Sequence, residues 1–262
     1  MELLRGRKGL IIGVANERSY AWHIARALID AGAYCAFSCL PGDKNEARAR
    51  FAIEALEVDF DPWIMPCDAS RDSDLDRLFL EYEKSHDRLD FLVHSIAYAD
   101  KQWLEPGKFA ETPREDFLQA LDISAYTFVA MARRARPLMK ASGGGSLISM
   151  TYLGSEKVVP GYNVMGVAKA ALECSTRYLA AELGADGIRV NAISGGPLRT
   201  LASSAIKGFR SILTHDERRS PLGRRVEGAD VGGTAVWLVS DWGRGVTGET
   251  IHVDCGVHMM GI

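Results

Sequence analysis

The sequence predicts a single Rossmann-like α/β domain: a doubly wound, seven-stranded parallel sheet with helices on both faces. Three observations carry this expectation. Short apolar runs alternate with amphipathic stretches of helical period along the whole chain. The 262 residues, 47% of them hydrophobic, can bury the core of one large α/β domain. No repeat, low-complexity segment or linker divides the chain, and "KASGGGS" (140–146) is only a turn. Strands separated by helices are joined by crossovers, which makes them parallel and covers both faces.

Each element has its own signal. "KGLIIGV" (8–14) reads as a buried strand, and Ser19 can cap a helix that runs to Gly32. "YCAFSC" (34–39) is the second strand, "NEARARFAIEALE" (45–57) a charged amphipathic helix, and "PWIMPC" (62–67) the third strand. "DSDLDRLFLEYEKSH" (72–86) opens on acids that suit a helix N-terminus. "LDFLVHSI" (89–96) is the fourth strand, followed by one long helical region from Pro113 to Met139. "GSLISMT" (145–151) is the fifth strand, and a helix follows to Leu183. "IRVNAIS" (188–194) and "ETIHVD" (249–254) complete the sheet. Residues 198–225, between the last two strands, carry more helical pattern than a crossover needs and predict a lid over the ligand site.

Composition excludes several classes. A net charge of −3 lacks the basic excess of a nucleic-acid binder. No apolar run reaches the roughly 18 residues that span a bilayer, and "GLIIGVA" runs into "NERS" without a signal-peptide cleavage site. Five scattered cysteines, with no C-x-x-C pair, point to free thiols in a reducing, cytoplasmic setting. The six histidines show no zinc-ligand spacing.

The stretch "GVANERSYA" (Gly13 to Ala21) follows the first strand. A dinucleotide fingerprint reads G-x-G-x-x-G, and here only Gly13 stands. Gly13 permits a tight turn, the next helix offers free N–H groups and Ser19 adds a hydroxyl, which together can hold a pyrophosphate. A plain turn is the competing reading. At the second strand's tip, Ser38, Cys39 and Leu40 supply neither an acid for a ribose hydroxyl nor a cation for a 2′-phosphate. The missing cation favours NADH. Lys44 and Arg48 follow within reach, so NADPH stays open. Asp68, after the third strand, can accept from an adenine amino group or cap the next helix.

In "GYNVMGVAKA" (161–170), Tyr162 and Lys169 lie seven positions apart. If the stretch is helical, seven steps of about 100° return the side chain to within about 20° of its starting direction, so both project from one face. A phenol can donate a proton, and a nearby ammonium can lower its pKa or hold a polyol. Two ordinary surface residues would look the same.

Together these features resemble the short-chain dehydrogenase/reductase superfamily and, inside it, the bacterial enoyl-acyl-carrier-protein reductases. Most of the superfamily places three residues between its Tyr and Lys. This subfamily places six, as "YNVMGVAK" does. It also replaces the glycine fingerprint by G-x5-S-x-A, as "GVANERSYA" does, and a second tyrosine, Tyr152, precedes the first by ten residues. "HSIAYA" (94–99), "DISAYTFVAMA" (122–132), "RVNAISGGPLRTLASS" (189–204) and "GETIHVDCG" (248–256) extend the likeness over nearly the whole chain.

The resemblance implies NADH-dependent reduction of the trans-2 double bond of an enoyl thioester, the last step of fatty acid elongation. Tyr162 would donate to the thioester oxygen, Lys169 would hold the nicotinamide ribose, and Tyr152 would line the acyl site. The cofactor shell would comprise Gly13, Ser19, Tyr20, Leu40, Asp68, Ala69, Ile96, Lys169 and the segment Leu198, Arg199, Thr200, Leu201 and Ala202, while Ala99 would touch substrate. Lys207 and Arg210 would meet the acidic acyl carrier protein, and the chain would assemble as a homotetramer.

Four positions depart from the subfamily pattern. Tyr20 is bulkier than the aliphatic residue expected there, Leu40 replaces a polar residue, Ala97 stands for glycine and Gly195 for alanine. Two rivals are a ketoacyl or hydroxysteroid reductase and a dinucleotide-sensing regulator without turnover. Ser149, thirteen residues before Tyr162, sits where the first rival needs a serine.

Overall fold

One sheet of seven parallel strands runs in the order β3–β2–β1–β4–β5–β6–β7. The computed structural model describes residues 2–198 and 217–261. The strands are β1 (Lys8–Ile12), β2 (Tyr34–Cys39), β3 (Ile64–Pro66), β4 (Phe91–His94), β5 (Gly145–Thr151), β6 (Ile188–Gly195) and β7 (Thr250–Val253). The helices that position the site are α1 (Tyr20–Asp30), α2 (Asp43–Glu54), α3 (Asp72–Ser85), α4 (Arg114–Leu121), α5 (Thr127–Ala141), α6 (Val164–Leu183) and α7 (Gly228–Val239). The doubly wound expectation holds. The expected lid falls largely outside the described residues.

Alternating side chains along each strand feed two cores. Ile11, Phe37, Val93, Ile148 and Ile193 face α1, α2 and α7. Leu10, Ala36, Leu92, Leu147 and Val190 face α3, α5 and α6. A strand's period of two makes this division, so runs apolar on both faces are what a sheet covered on both sides requires. A third cluster, Leu104, Ala120, Val164, Met165 and Ala168, packs around Tyr162.

Two expectations change. β1 stops at Ile12 rather than Val14, because Gly13 turns the chain at φ +99°. The long helical region is not continuous: a π-helical turn, Asp122–Tyr126, separates α4 from α5. Within it, the buried Ser124 Oγ accepts from Tyr98 N at 3.0 Å and donates to Tyr98 O at 3.2 Å. The wider turn thus presents a hydroxyl that pins the loop after β4.

Candidate active site

Between β1 and β4 the strand order reverses, and outside the carboxyl ends of these strands a crevice must open. It is a cavity of about 740 Å³, within the usual range of cofactor and ligand sites. Gly13, Ser19 and Tyr20 line it from the β1–α1 turn, Leu40 from the β2 tip, and Ile96 and Ala99 from the loop after β4. Tyr152, Tyr162, Lys169 and Leu198 line the other side. Two sequence-chosen residues lie apart from this lining. Ala69 is one. The other, Asp68, uses Oδ1 to accept from Ser70 Oγ at 2.7 Å and Ser70 N at 3.1 Å, holding the turn into α3, whose N-cap is Arg71. Arg199, Thr200, Leu201, Ala202, Lys207 and Arg210 lie outside the described residues.

The phosphate end is built from backbone. Gly13 N donates to Ser38 O, and a Cβ on Gly13 would lie 2.3 Å from Ser95 O, so no larger residue fits between the strand tips. Ser19 is the N-cap of α1: its Oγ accepts from Trp22 N at 3.2 Å and donates to Asn16 O at 2.8 Å. An ordered N-cap directs the remaining N–H groups of the first helical turn outward, a ready anion cradle.

Tyr162 and Lys169 share the cavity, but not for the reason that helical spacing suggests. Helix α6 starts at Val164, so only Lys169 is on it; Tyr162 belongs to the turn before. What places the phenol is the residue between. Asn163 holds φ +47°, and its Nδ2 donates to Trp103 O at 2.6 Å and Glu105 O at 2.7 Å. The Tyr162 ring lies on Gly154, where a Cβ would come within 2.3 Å of it. It meets the Tyr152 ring edge-on at 5.1 Å. Burial pushes the Tyr162 phenol well above its ordinary pKa, and neighbouring Tyr152, Tyr20 and Glu173 push the same way. The hydroxyl therefore keeps its proton across the working pH range.

Lys169 is 5% exposed and donates from Nζ to Met150 O at 2.7 Å. Burial pulls its pKa down to about 8, against the opposing pull of Glu173. Glu173 in turn accepts from Thr151 Oγ1 at 2.5 Å. Buried His94, pulled down to about 3 by desolvation and then by Lys169, stays neutral and bonds Thr127 Oγ1 at 2.8 Å. The Lys169 ammonium is thus poised near neutral pH. We expect NADH affinity to fall by about fivefold as pH rises from 7 to 9.5, because an uncharged amine holds an anionic cofactor less well. Above pH 8, calorimetry in buffers of different ionisation enthalpy should show proton uptake on NADH binding. Lys169→Met should abolish that uptake.

Sequence reasoning missed Asn163, Gly154 and Ser124. Two signals were available for Asn163: adjacency to Tyr162, and its being asparagine, which among non-glycine residues adopts positive φ most readily. Loss of the two tethering bonds should make Asn163→Ala less stable by about 2 kcal/mol in urea unfolding. Asn163→Gly, freed of the left-handed strain, should lose about 1 kcal/mol less. Both should lower kcat, since both release the Tyr162 turn. Equal stability of the two variants would contradict the strain argument.

A sequence profile described as Enoyl-(Acyl carrier protein) reductase matches residues 13–258. The enoyl-[acyl-carrier-protein] reductase [NADH] of Bacillus cereus is 46% identical over 261 residues, covering all of both chains. A crystal structure of the Anaplasma phagocytophilum reductase in complex with NAD aligns with TM-score 0.92 and 48% identity, over 99% of this chain and 97% of that one. The Bacillus cereus reductase with NADP+ and an indole naphthyridinone aligns with TM-score 0.95 and 46% identity over all of both chains. With the G-x5-S-x-A turn, the Tyr–Lys pair and the cavity between them in place, the chain belongs to the enoyl-acyl-carrier-protein reductase family.

Proposed function

We propose that this chain reduces the trans-2 double bond of an enoyl thioester carried on acyl carrier protein, with Tyr162 as the hydrogen-bond donor to the thioester oxygen. The observation that carries the reading is the buried, protonated Tyr162 phenol lining the same cavity as the Lys169 ammonium. Bound NADH supplies the hydride that adds to the β-carbon. The residues present fit that cofactor: a glycine turn too tight for a Cβ, a capped helix end and a lysine within one cavity.

Reduction at the β-carbon moves negative charge onto the thioester oxygen, and a proton then added at the α-carbon collapses the enolate to the saturated thioester. A fixed phenol donor aimed at that oxygen is worth most at the transition state, when the charge is greatest, and needs no reorganisation. Lys169 holds the ribose of the nicotinamide half and adds positive field. Gly13 and Ser19 hold the pyrophosphate turn, with Tyr20 beside them. Ile96 and Leu198 flank the nicotinamide half, and Leu40 the adenosine. By resemblance Asp68 would accept from the adenine amino group with Ala69 beside it, although both stand outside the cavity lining and Asp68 Oδ1 already accepts from Ser70. Tyr152 and Ala99 form the acyl wall. Arg199, Thr200, Leu201 and Ala202 complete the cofactor shell by resemblance. Arg48 also lines the cavity at the adenosine end, which supports slower use of NADPH.

Ser149 weighs against a ketoacyl or hydroxysteroid reductase. It is fully buried and bonds Thr176 Oγ1 at 3.3 Å, within the sheet–helix layer rather than in the cavity. Incubation with NADH and either crotonyl or acetoacetyl thioester tests the reading: only the crotonyl substrate should be consumed. Consumption of acetoacetyl thioester alone would favour the ketoacyl rival, and NADH binding with neither consumed would favour the regulator.

We further infer a cytoplasmic homotetramer whose 198–225 lid meets acyl carrier protein through Lys207 and Arg210. All five cysteines are free thiols, and no described helix is long and apolar enough to cross a membrane. Tyr178, 76% exposed on α6, offers apolar surface for helix-to-helix assembly.

A further inference from the structure

Tyr20 and Gly195, 175 positions apart in sequence, meet in space. A Cβ on Gly195 would lie 2.8 Å from Tyr20 Cζ, 2.9 Å from its hydroxyl oxygen and 3.1 Å from Cε1. Alanine at 195 and tyrosine at 20 therefore cannot coexist without one of them moving. The Tyr20 ring fills the space that a methyl group at 195 and a shorter side chain at 20 would share.

The ring also makes a bond that no aliphatic residue could. Tyr20 Oη donates to Gly196 O. That carbonyl belongs to the peptide whose nitrogen is Pro197, which has no N–H. The carbonyl is thus the one polar handle on this peptide plane. Gly196 N, on the preceding plane, donates to Val253 O at 2.8 Å. The segment after β6 is held on one side by the sheet and on the other by Tyr20. Pro197 and Leu198, next along, line the cavity. Tyr20 is the first residue of α1, directly after the Ser19 cap. One side chain ties the anion-binding helix end to the β6 segment across the site.

We propose that Tyr20 and Gly195 form a size-matched pair, and that Tyr20 is a positioning residue that fixes the Gly196–Leu198 segment for the nicotinamide half of the cofactor. The inference rests on the reading that this cavity holds NADH. Neither residue needs to touch a reacting atom. The pair acts on cofactor affinity, and the acyl side is left alone.

Fluorescence titration of the full-length protein with NADH tests the pair without turnover. Tyr20→Phe keeps the ring and loses the bond to Gly196 O, and NADH should bind about fivefold more weakly. Gly195→Ala displaces the ring and should weaken binding about tenfold or more. Adding Tyr20→Ile to Gly195→Ala should bring affinity back to about the level of Tyr20→Phe, roughly fivefold below the wild type, since the shorter side chain makes room for the methyl but cannot replace the bond to Gly196 O. In turnover, KM for NADH should follow these changes while KM for crotonyl thioester stays constant. A double variant as weak as the two single losses combined, or Tyr20→Phe with unaltered NADH affinity, would overturn the pair. If the coupling appears but no enoyl thioester is reduced, the pair stands and the reductase reading falls. If the substrate is reduced but the losses simply add, only the pair falls. Tyr20→Phe, the mildest change, keeps the test open should Gly195→Ala fail to fold.

Discussion

Tyr162→Phe should lower kcat with crotonyl thioester by about 10²–10³-fold, the usual cost of removing one oxyanion donor, and leave NADH affinity within about twofold of its original value. The phenyl ring can keep the seat on Gly154 and the edge contact with Tyr152, so the cavity retains its shape. What disappears is one O–H. Burial keeps that hydroxyl protonated, so the loss should be uniform from pH 6 to 9 and not confined to one limb of the profile. Tyr152→Phe is the control: Tyr152 lines the same cavity, and kcat should fall by less than about tenfold if only Tyr162 faces the developing charge. Comparable losses in the two variants would move the donor role away from Tyr162. A dinucleotide-binding regulator would have no use for either hydroxyl.

Gly13→Ala should cost about 3 kcal/mol of stability, through left-handed strain and overpacking together, and weaken NADH binding by more than tenfold. Gly13 holds φ +99°, and its added methyl would lie 2.3 Å from Ser95 O and 2.8 Å from Ile96 Cγ2. Neither neighbour can yield cheaply. Ser95 N donates to Ile12 O and Gly13 N to Ser38 O, so moving this corner strains the tips of β1, β2 and β4 together. Gly6→Ala separates the two causes. Gly6 has φ +79° with nothing within 4 Å of an added Cβ, so it should lose only about 1 kcal/mol from backbone strain. Urea unfolding gives the stability difference and NADH fluorescence the affinity. Equal losses at both positions would show that strain alone, and not the crowded strand tip, makes Gly13 necessary.

Much of the fold was legible because apolar patterning is a local property with global consequences. A buried parallel sheet demands apolar residues on both strand faces, and "GLII", "FLVH" and "RVNAI" supply them. Ser19 was readable as an N-cap because a short hydroxyl side chain satisfies a helix N–H without tertiary help. The break at Asp122–Tyr126 was not readable, because a π turn leaves the apolar period almost intact and is fixed by the Ser124–Tyr98 bonds. The Tyr162–Lys169 spacing pointed to the right pair through the wrong geometry. A seven-residue step fits one helical face, yet the phenol is placed by a turn whose shape depends on Asn163 reaching the carbonyls of Trp103 and Glu105.

By itself the sequence determined the strand order's raw material, the helix cap at Ser19, the glycine turn at Gly13 and the identity of the two groups that face the cavity. These depend on propensity, period and residue chemistry, which act over a few neighbours. Only the tertiary structure decided where the phenol sits, why Lys169 is poised near pH 8, and that Tyr20 and Gly195 share one space. Those outcomes depend on distances between segments remote in the chain, and burial and close packing exist only once the sheet has brought the segments together.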